Sequence, residues 1–363
     1  MNRNTASARH IGILNAVPEV MMATLVPWRP VTALVRRAVE IADDVLFPAA
    51  LAVDRADRVP AGHFDRLAGA GLYGLFAPPA VDFPTVAAVT AALAGGCLAT
   101  AFVWIQHHGP LIAVAERAPH WVPLLASGER TAGIAMASVR GPAPVRVRPV
   151  ADGYRLDGSV DWVTGWGLVD VVQVAALDEN DVVHYLLVDL TPGPTMSADL
   201  VDVVTTRASR TATVTFTGHP VPADRLLRTV PLDEWTRSEA AGSTLNGFLS
   251  IGVAARCCRL LGPTPLDDEV DRCREALLTA DGPDARQSPP SATDLPLPAA
   301  RAAASELVLR ASAALVVHTG SRAVRLDNHA QRIAREAIFL QTFGSRPSIR
   351  AALLTRLTRV SPA

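Results

Sequence analysis

Apolar residues recur at helical spacing over residues 30–51, where Leu34, Val35, Ala38, Ile41, Ala42, Val45 and Leu46 fall on one face. Proline and glycine interrupt the pattern, and residues 60–70 read as a second short helix stopping at Gly69 and Gly71. Past Pro78-Pro79, Pro84 opens a helix towards Gly95. A further helix over 100–107 stops near Gly109-Pro110, and helical sequence resumes towards Leu125. The period changes at Gly128. Residues 131–138 and 145–150 read as strands, and Asp152-Gly153 is a hairpin signal. Tyr154-Arg155-Leu156-Asp157 alternates apolar and polar, as a half-buried strand does. Residues 169–176, 184–189 and 211–216 continue that rhythm, with no helix between strands. Helical spacing returns near Asp233 and predicts helices over 240–261, 266–280, 299–319, 329–343 and 347–357, with a Pro-rich connector over 281–298.

The order is helices, strands, helices, so the expected class is α+β: an N-terminal helical domain over 31–129, a middle antiparallel β domain over 130–230 and a C-terminal helical bundle over 231–363. Residues 1–30 contain an apolar stretch after Arg3 and Arg9 that superficially looks like a secretory signal. Pro18 and Glu19 interrupt it, so these residues are expected to be a poorly ordered extension, or to precede a start at Met21 or Met22.

Composition adds exclusions. An apolar share of 49% and a charged share of 19% describe an ordinary globular chain. The formal net charge of −1 gives no electrostatic argument for nucleic acid or an anionic membrane. Every fixed basic side chain is Arg, so no Lys can form a Schiff base. Four cysteines without C-x-x-C spacing make neither a disulfide framework nor a zinc site, which fits a reducing cytoplasm, the expected location. No membrane span is expected.

Four phrases resemble the acyl-CoA dehydrogenase superfamily: Ala56-Asp57-Arg58 with Gly71-Leu72-Tyr73-Gly74-Leu75; Trp121-Val122-Pro123-Leu124-Leu125-Ala126-Ser127-Gly128-Glu129; Asp157-Gly158-Ser159-Val160-Asp161-Trp162-Val163-Thr164-Gly165; and Asp327-Asn328-His329-Ala330-Gln331-Arg332-Ile333-Ala334-Arg335-Glu336-Ala337. Their order and spacing match as well. The resemblance implies FAD between the β domain and the C-terminal bundle, a homodimer or homotetramer, and an acyl thioester, on CoA or a carrier protein, desaturated across its α and β carbons. It places Trp162 on the flavin ring and Thr164 near the ring N5, and it puts a base carboxylate at Asp327. An apolar pocket there would raise its pKa.

The bland reading of Trp162 is a core strand aromatic, and that of Asp327 is that it or Asn328 caps the following helix, with Gln331 completing a capping box from Asn328. The family's T-E-P-x-x-G-S-D segment is replaced by Met136-Ala137-Ser138-Val139-Arg140-Gly141-Pro142, leaving Ala137 and Ser138 as candidate flavin contacts. Its Q-x-x-G-G stretch is reduced to His318-Thr319-Gly320-Ser321 and its E-G-T turn to Phe343-Gly344-Ser345, so Gly320, Gly344 and Ser345 complete the candidate cofactor set. Its R-x-x-F-G segment has no counterpart near Gly262, so FMN, reduced flavin from a partner reductase, or no flavin at all stay open beside FAD. His107, His108 and His329 are candidates for the substrate pocket, against packing or capping. No carboxylate or Cys beside the paired histidines completes a metal site. Arg146 and Arg148 are either phosphate contacts or the solvated face of a strand.

Three functions remain: acyl-thioester dehydrogenation with Asp327 as base, flavin-dependent monooxygenation of a small molecule on the same fold, and a non-redox descendant that has lost flavin. The electron acceptor is undetermined.

Overall fold

The computed structural model describes residues 32–240, 243–280 and 295–358. The expectation for residues 1–30 lies outside them. The helical pattern over 30–51 becomes two helices joined without a break, α1 (Ala33–Ile41) and α2 (Phe47–Arg55), through one π turn, Ala42–Leu46. Thr32 caps α1 by accepting the Val35 N–H. After α3 (Ala61–Gly69), Asp82 caps α4 (Phe83–Gly96) through the Thr85 N–H, and α5 (Leu98–Ile105) follows.

The expected break at Gly109-Pro110 falls earlier, at Gln106-His107. Pro110 sits in the first turn of α6 (His108–Arg117), where its missing N–H has no intrahelical partner to lose. The last element of this part is α7 (Val122–Ser127). Gly69-Ala70-Gly71-Leu72-Tyr73-Gly74 has G-x-G-x-x-G spacing, but it follows a helix, not a strand, so it is not the dinucleotide turn.

One eight-stranded sheet forms the middle: β1 (Ala132–Ala135), β2 (Arg146–Val150), β3 (Gly153–Val163), β4 (Val171–Leu177), β5 (Val182–Asp189), β6 (Met196–Leu200), β7 (Ala212–Pro222) and β8 (Leu226–Pro231). The strand order is β6-β7-β3-β2-β4-β5-β8, with β1 beside β4. The sheet is mostly antiparallel, and the Asp152-Gly153 hairpin joins β2 to β3. Two pairings depart from that expectation: β1 and β2 both run parallel to β4. The pattern along the chain missed β6 and β8, whose exposed edges carry little alternation.

The strand β4 is buried along its whole length because both faces are covered. Val172, Val174 and Ala176 join Val147, Leu156, Val160 and Val214 in one core. Val171, Ala175 and Leu177 face the other, with Leu111, Val114, Trp121 and Leu125 from the helical side. Arg146 and Arg148 lie on the exposed face of β2, paired with the Asp178 carbonyl and Asp157.

The C-terminal part holds α8 (Leu232–Ala240), α9 (Leu245–Leu261), α10 (Leu266–Ala280), α11 (Leu297–Thr319), α12 (His329–Thr342) and α13 (Pro347–Leu357). The helix expected over 240–261 is α9, which starts at Leu245 and is buried on nearly every side, while the helical spacing near Asp233 is α8, which is largely exposed. No helix among the described residues is long and apolar enough to cross a membrane.

The helices α4 and α9 cross at backbone distance. A Cβ on Gly252 would stand 2.0 Å from the Ala91 carbonyl oxygen, and one on Gly95 would stand 2.8 Å from the Gly252 carbonyl oxygen. At the same crossing, Arg256 of α9 donates to the Gly95 carbonyl at 2.7 Å and to Asp43 of the π turn at 2.5 Å. Asp43 also accepts from Arg259 at 2.6 Å. Gly252→Ala should therefore lower stability by about 2 kcal/mol or more, read as a drop in the urea midpoint. An unchanged midpoint would show that the crossing can open without cost.

Candidate functional site

The antiparallel register between β3 and β7 slips between Val160 and Val163. The extra residues force Trp162 into a left-handed backbone, φ 62°, which a bulky residue rarely adopts. Its indole is 59% exposed instead of joining the core. The core-aromatic reading therefore fails: the strand spends backbone strain on holding a large apolar plane at the surface.

Thr164, two residues on, points the other way. Its hydroxyl is buried and bonds to Thr211 Oγ1 at 3.2 Å, which in turn meets Ser209 Oγ at 3.1 Å. Its hydroxyl is thus bonded to Thr211, where the family resemblance expects it near the flavin N5. Beside Thr164, β1 passes so closely that a Cβ on Gly133 would be 3.2 Å from the Thr164 carbonyl oxygen. The chain leaves β1 through Ala137 into a one-turn 3₁₀ helix, Ser138–Arg140, packed on β3. Ser138 Oγ is buried with no hydrogen-bond partner among the described residues, an unmet polar group of the kind a ligand would satisfy.

The turn after α12 contains Phe343, Gly344 and Ser345. Gly344 has φ 59°, a backbone that favours glycine, and the Asn246 side chain packs where a Cβ would stand. Ser345 Oγ is a second shielded hydroxyl without a partner. The Ser138 and Ser345 turns are joined through Glu239 of α8. Arg140 Nε and Nη2 lie 3.0 and 2.5 Å from Glu239 Oε2, and Arg346 Nη2 lies 2.6 Å from the same oxygen. Behind this junction Arg301 of α11 donates to the carbonyls of Ser243 and Phe343. Burial, with Arg346 adding to it, pushes the Arg301 pKa down to about 10. Trp162 thus lies on β3, Ala137 and Ser138 follow β1, and the Gly344-Ser345 turn is joined to the Ser138–Arg140 turn through Arg140, Glu239 and Arg346.

Other expected members lie elsewhere. Asp327 is not in an apolar pocket. Its side chain is 59% exposed, and Arg325 grips both oxygens at 3.0 and 2.9 Å, holding the carboxyl below its usual range. The residue after it supplies the cap: Asn328 accepts the Ala330 N–H at 2.8 Å. The expected capping box does not close, because Gln331 instead donates to the Leu326 carbonyl and accepts from Arg335. Gly320 is an exposed glycine ending α11.

The three histidines expected at a substrate pocket pack against aromatic rings, and both ring nitrogens of His108 are buried without a partner among the described residues. His107 accepts the Ala132 N–H on Nδ1 at 3.1 Å and donates Nε2–H to the Leu125 carbonyl at 3.1 Å, tying the start of β1 to α7. His108 is fully buried, edge-on to Trp104. His329 stacks on Phe47 with ring centroids 4.2 Å apart and accepts from Arg332.

Four residues at the junction, Arg140, Glu239, Arg301 and Arg346, were not singled out by any motif. One signal was available: Arg301 is a lone charge in the run Ala299-Ala300-Arg301-Ala302-Ala303-Ala304, all otherwise apolar.

No family model matches the chain. A short-chain specific acyl-CoA dehydrogenase of Bos taurus is 27% identical over 209 residues, 52% of this chain and 50% of the relative. The chain thus spans about half the length of the curated relatives it matches. A probable acyl-CoA dehydrogenase from Mycobacterium abscessus superposes with a TM-score of 0.76 at 16% identity, over 91% of this chain and 100% of that one. The chain has the acyl-CoA dehydrogenase fold. A glutaryl-CoA dehydrogenase from Mycobacterium smegmatis, in complex with FADH2, shares it at a TM-score of 0.74 and 13% identity, over 91% and 94% of the two chains. In this acyl-CoA dehydrogenase-like chain, Trp162 is exposed on the central sheet, and Glu239 joins the turn after α12 to the turn after β1 by binding Arg346 and Arg140.

His107 generates a pH prediction. Burial lowers its pKa to about 4, against about 6.5 in the unfolded chain. The unfolded state therefore binds more protons below about pH 6.5, and stability falls as pH drops towards 4. The contribution is on the order of 3 kcal/mol. Urea midpoints at about pH 7 and about pH 4.5 should differ less in His107→Gln than in wild type. Equal differences would show that His107 does not stay neutral in the fold.

Proposed function

We propose that the protein is an FAD-dependent oxidoreductase that removes hydrogen from an acyl thioester. Two features of the sheet domain carry this reading: a strained β3 bulge presents the Trp162 indole to the surface, and the turn after β1 holds a buried, unpartnered Ser138 hydroxyl. An apolar plane and a free hydroxyl are what a flat, polar-edged ring requires. Trp162 would form its wall. The Ala137 backbone and Ser138 would meet its edge, and Ser345 would close from the opposite turn, with Gly344 leaving the backbone bare. FAD supplies a hydride acceptor. The chain's own part is to exclude water between β3 and the closing turn, to orient the thioester against Trp162, and to supply shielded hydroxyls for polar atoms.

The position of Asp327 bears on the reaction. An exposed carboxylate bound to Arg325 has no access to a shielded substrate carbon, so proton abstraction is not assigned to it. The same observation favours a second reading, flavin-dependent monooxygenation, which needs no carboxylate base. Assembly as a homo-oligomer fits the apolar side chains left outside on the C-terminal helices, among them Val317, Ile338 and Leu354.

Purified protein, mixed with FAD and separated from excess, should retain a flavin absorption band, and Trp162→Ala should weaken binding by about tenfold. Protein that stays colourless with both FAD and FMN would end both flavin readings. With an acyl-CoA under anaerobic conditions, bleaching of the band supports dehydrogenation, whereas oxygenated product formed only with reduced flavin and O₂ supports the second reading. Asp327→Asn should bleach within a few-fold of wild type. A loss of several orders of magnitude would return the base to Asp327.

A further inference from the structure

The junction between the Ser138 and Ser345 turns carries more positive charge than its fold accounts for. Arg140 and Arg346 share one carboxylate oxygen, Glu239 Oε2, and Arg301 stands behind them on the Phe343 carbonyl. Arg301 is 3% exposed, has no carboxylate partner among the described residues, and leaves its Nε–H without an acceptor. Arg140 and Arg346 each use Nε and one terminal nitrogen, so the other terminal nitrogen of each is unspent. Ser138 Oγ and Ser345 Oγ, also buried and unpartnered, flank the pair. A buried guanidinium without a counter-charge is costly, and unsatisfied buried donors add to that cost. A second negative group would relieve both. The other side of the same turn is apolar: Phe343 packs against Phe102 and Phe339 at centroid distances of 4.8 and 5.4 Å, and Phe339 and Phe343 are only half-buried. Guanidiniums beside half-covered aromatic rings suit a ligand that is itself apolar with an anionic end.

We propose that this junction is a receptor for a carboxylate carried at the end of an apolar acyl chain. Arg140 and Arg346 bind the carboxylate through their unspent nitrogens, and Arg301 supplies charge from behind. Phe339 and Phe343 hold the chain. The inference rests on the acyl-thioester reading above and narrows it to acyl groups that end in a carboxylate.

The test is calorimetric titration of the purified protein with hexanoate, with its neutral isostere hexanamide, and with inorganic phosphate. Hexanoate should bind about tenfold or more tightly than hexanamide, and Arg346→Gln should remove that preference. Arg346→Lys should restore part of it, since an ammonium keeps the charge but not the guanidinium fork. Thermal unfolding of each variant without ligand checks that it folds, and Arg140→Gln takes the place of Arg346→Gln if the latter does not. Equal binding of hexanoate and hexanamide overturns the proposal. So does phosphate binding more tightly than hexanoate, which would make the junction a phosphate site for a nucleotide cofactor. The flavin band separates this proposal from the one before it. Protein that holds FAD but ignores hexanoate refutes only the carboxylate receptor. Colourless protein that still prefers hexanoate refutes only the flavin.

Discussion

The helices α4 and α9 touch backbone to backbone, and the placement of the C-terminal part follows from that contact. Helices separated by ordinary side chains stand well apart. Here Gly95 and Gly252 remove those side chains where the axes cross. The short distance lets Arg256 reach the Gly95 carbonyl and the Asp43 carboxylate at once, so one side chain secures α9, α4 and the π turn together. With α9 held there, its first turn brings Asn246 under Gly344, and the turn after α12 takes its place against α8 and α11.

Charge buried beside this crossing is handled by arginine throughout. Arg332 pairs with Glu336 inside the bundle, Arg335 grips Asp54 of α2 with two parallel bonds, and Phe47 lies under the Arg256 guanidinium at 4.3 Å. Burial pushes the Glu336 pKa up while Arg332 opposes that rise. Guanidiniums suit such positions because their planar fork satisfies two acceptors and stacks on a ring. Nearby histidines stay neutral for the same reason that the carboxylates need partners: a lone charge in this setting is expensive. Burial, with Arg332 adding to it, holds the His329 pKa to about 4. Among the described residues, Arg301 departs from that balance.

The candidate site therefore consists of two unlike halves. On the sheet, a bulge turns Trp162 outward and Thr164 inward, separating an apolar surface from an internal hydroxyl chain. On the bundle, a glycine turn carries Ser345 and leads into Arg346. Glu239 links the halves by binding an arginine from each. Each half alone is an ordinary turn or strand, and α8 is what ties the Ser138 turn to the Ser345 turn.

The helix–sheet–helix order was legible along the chain because periods of 3.6 and 2 are local properties, as the exact match of 347–357 to α13 illustrates. Turn chemistry was legible for the same reason at Asp152-Gly153, and so was the capping role of Asn328. The parallel placement of β1 beside β4 was not, since register between distant strands depends on contacts that neither strand encodes alone. Trp162 could be read as an aromatic of interest, but its exposure depends on a slip in pairing with β7. Asp327 had a suitable side chain and a suggestive phrase around it, yet Arg325, two residues away, claims both its oxygens in solvent. Arg140, Glu239, Arg301 and Arg346 lie on four separate segments, and only packing brings them to one point. Local sequence determined what each segment can be. Burial and long-range approach decided which side chains are left without partners, and so where a ligand can bind.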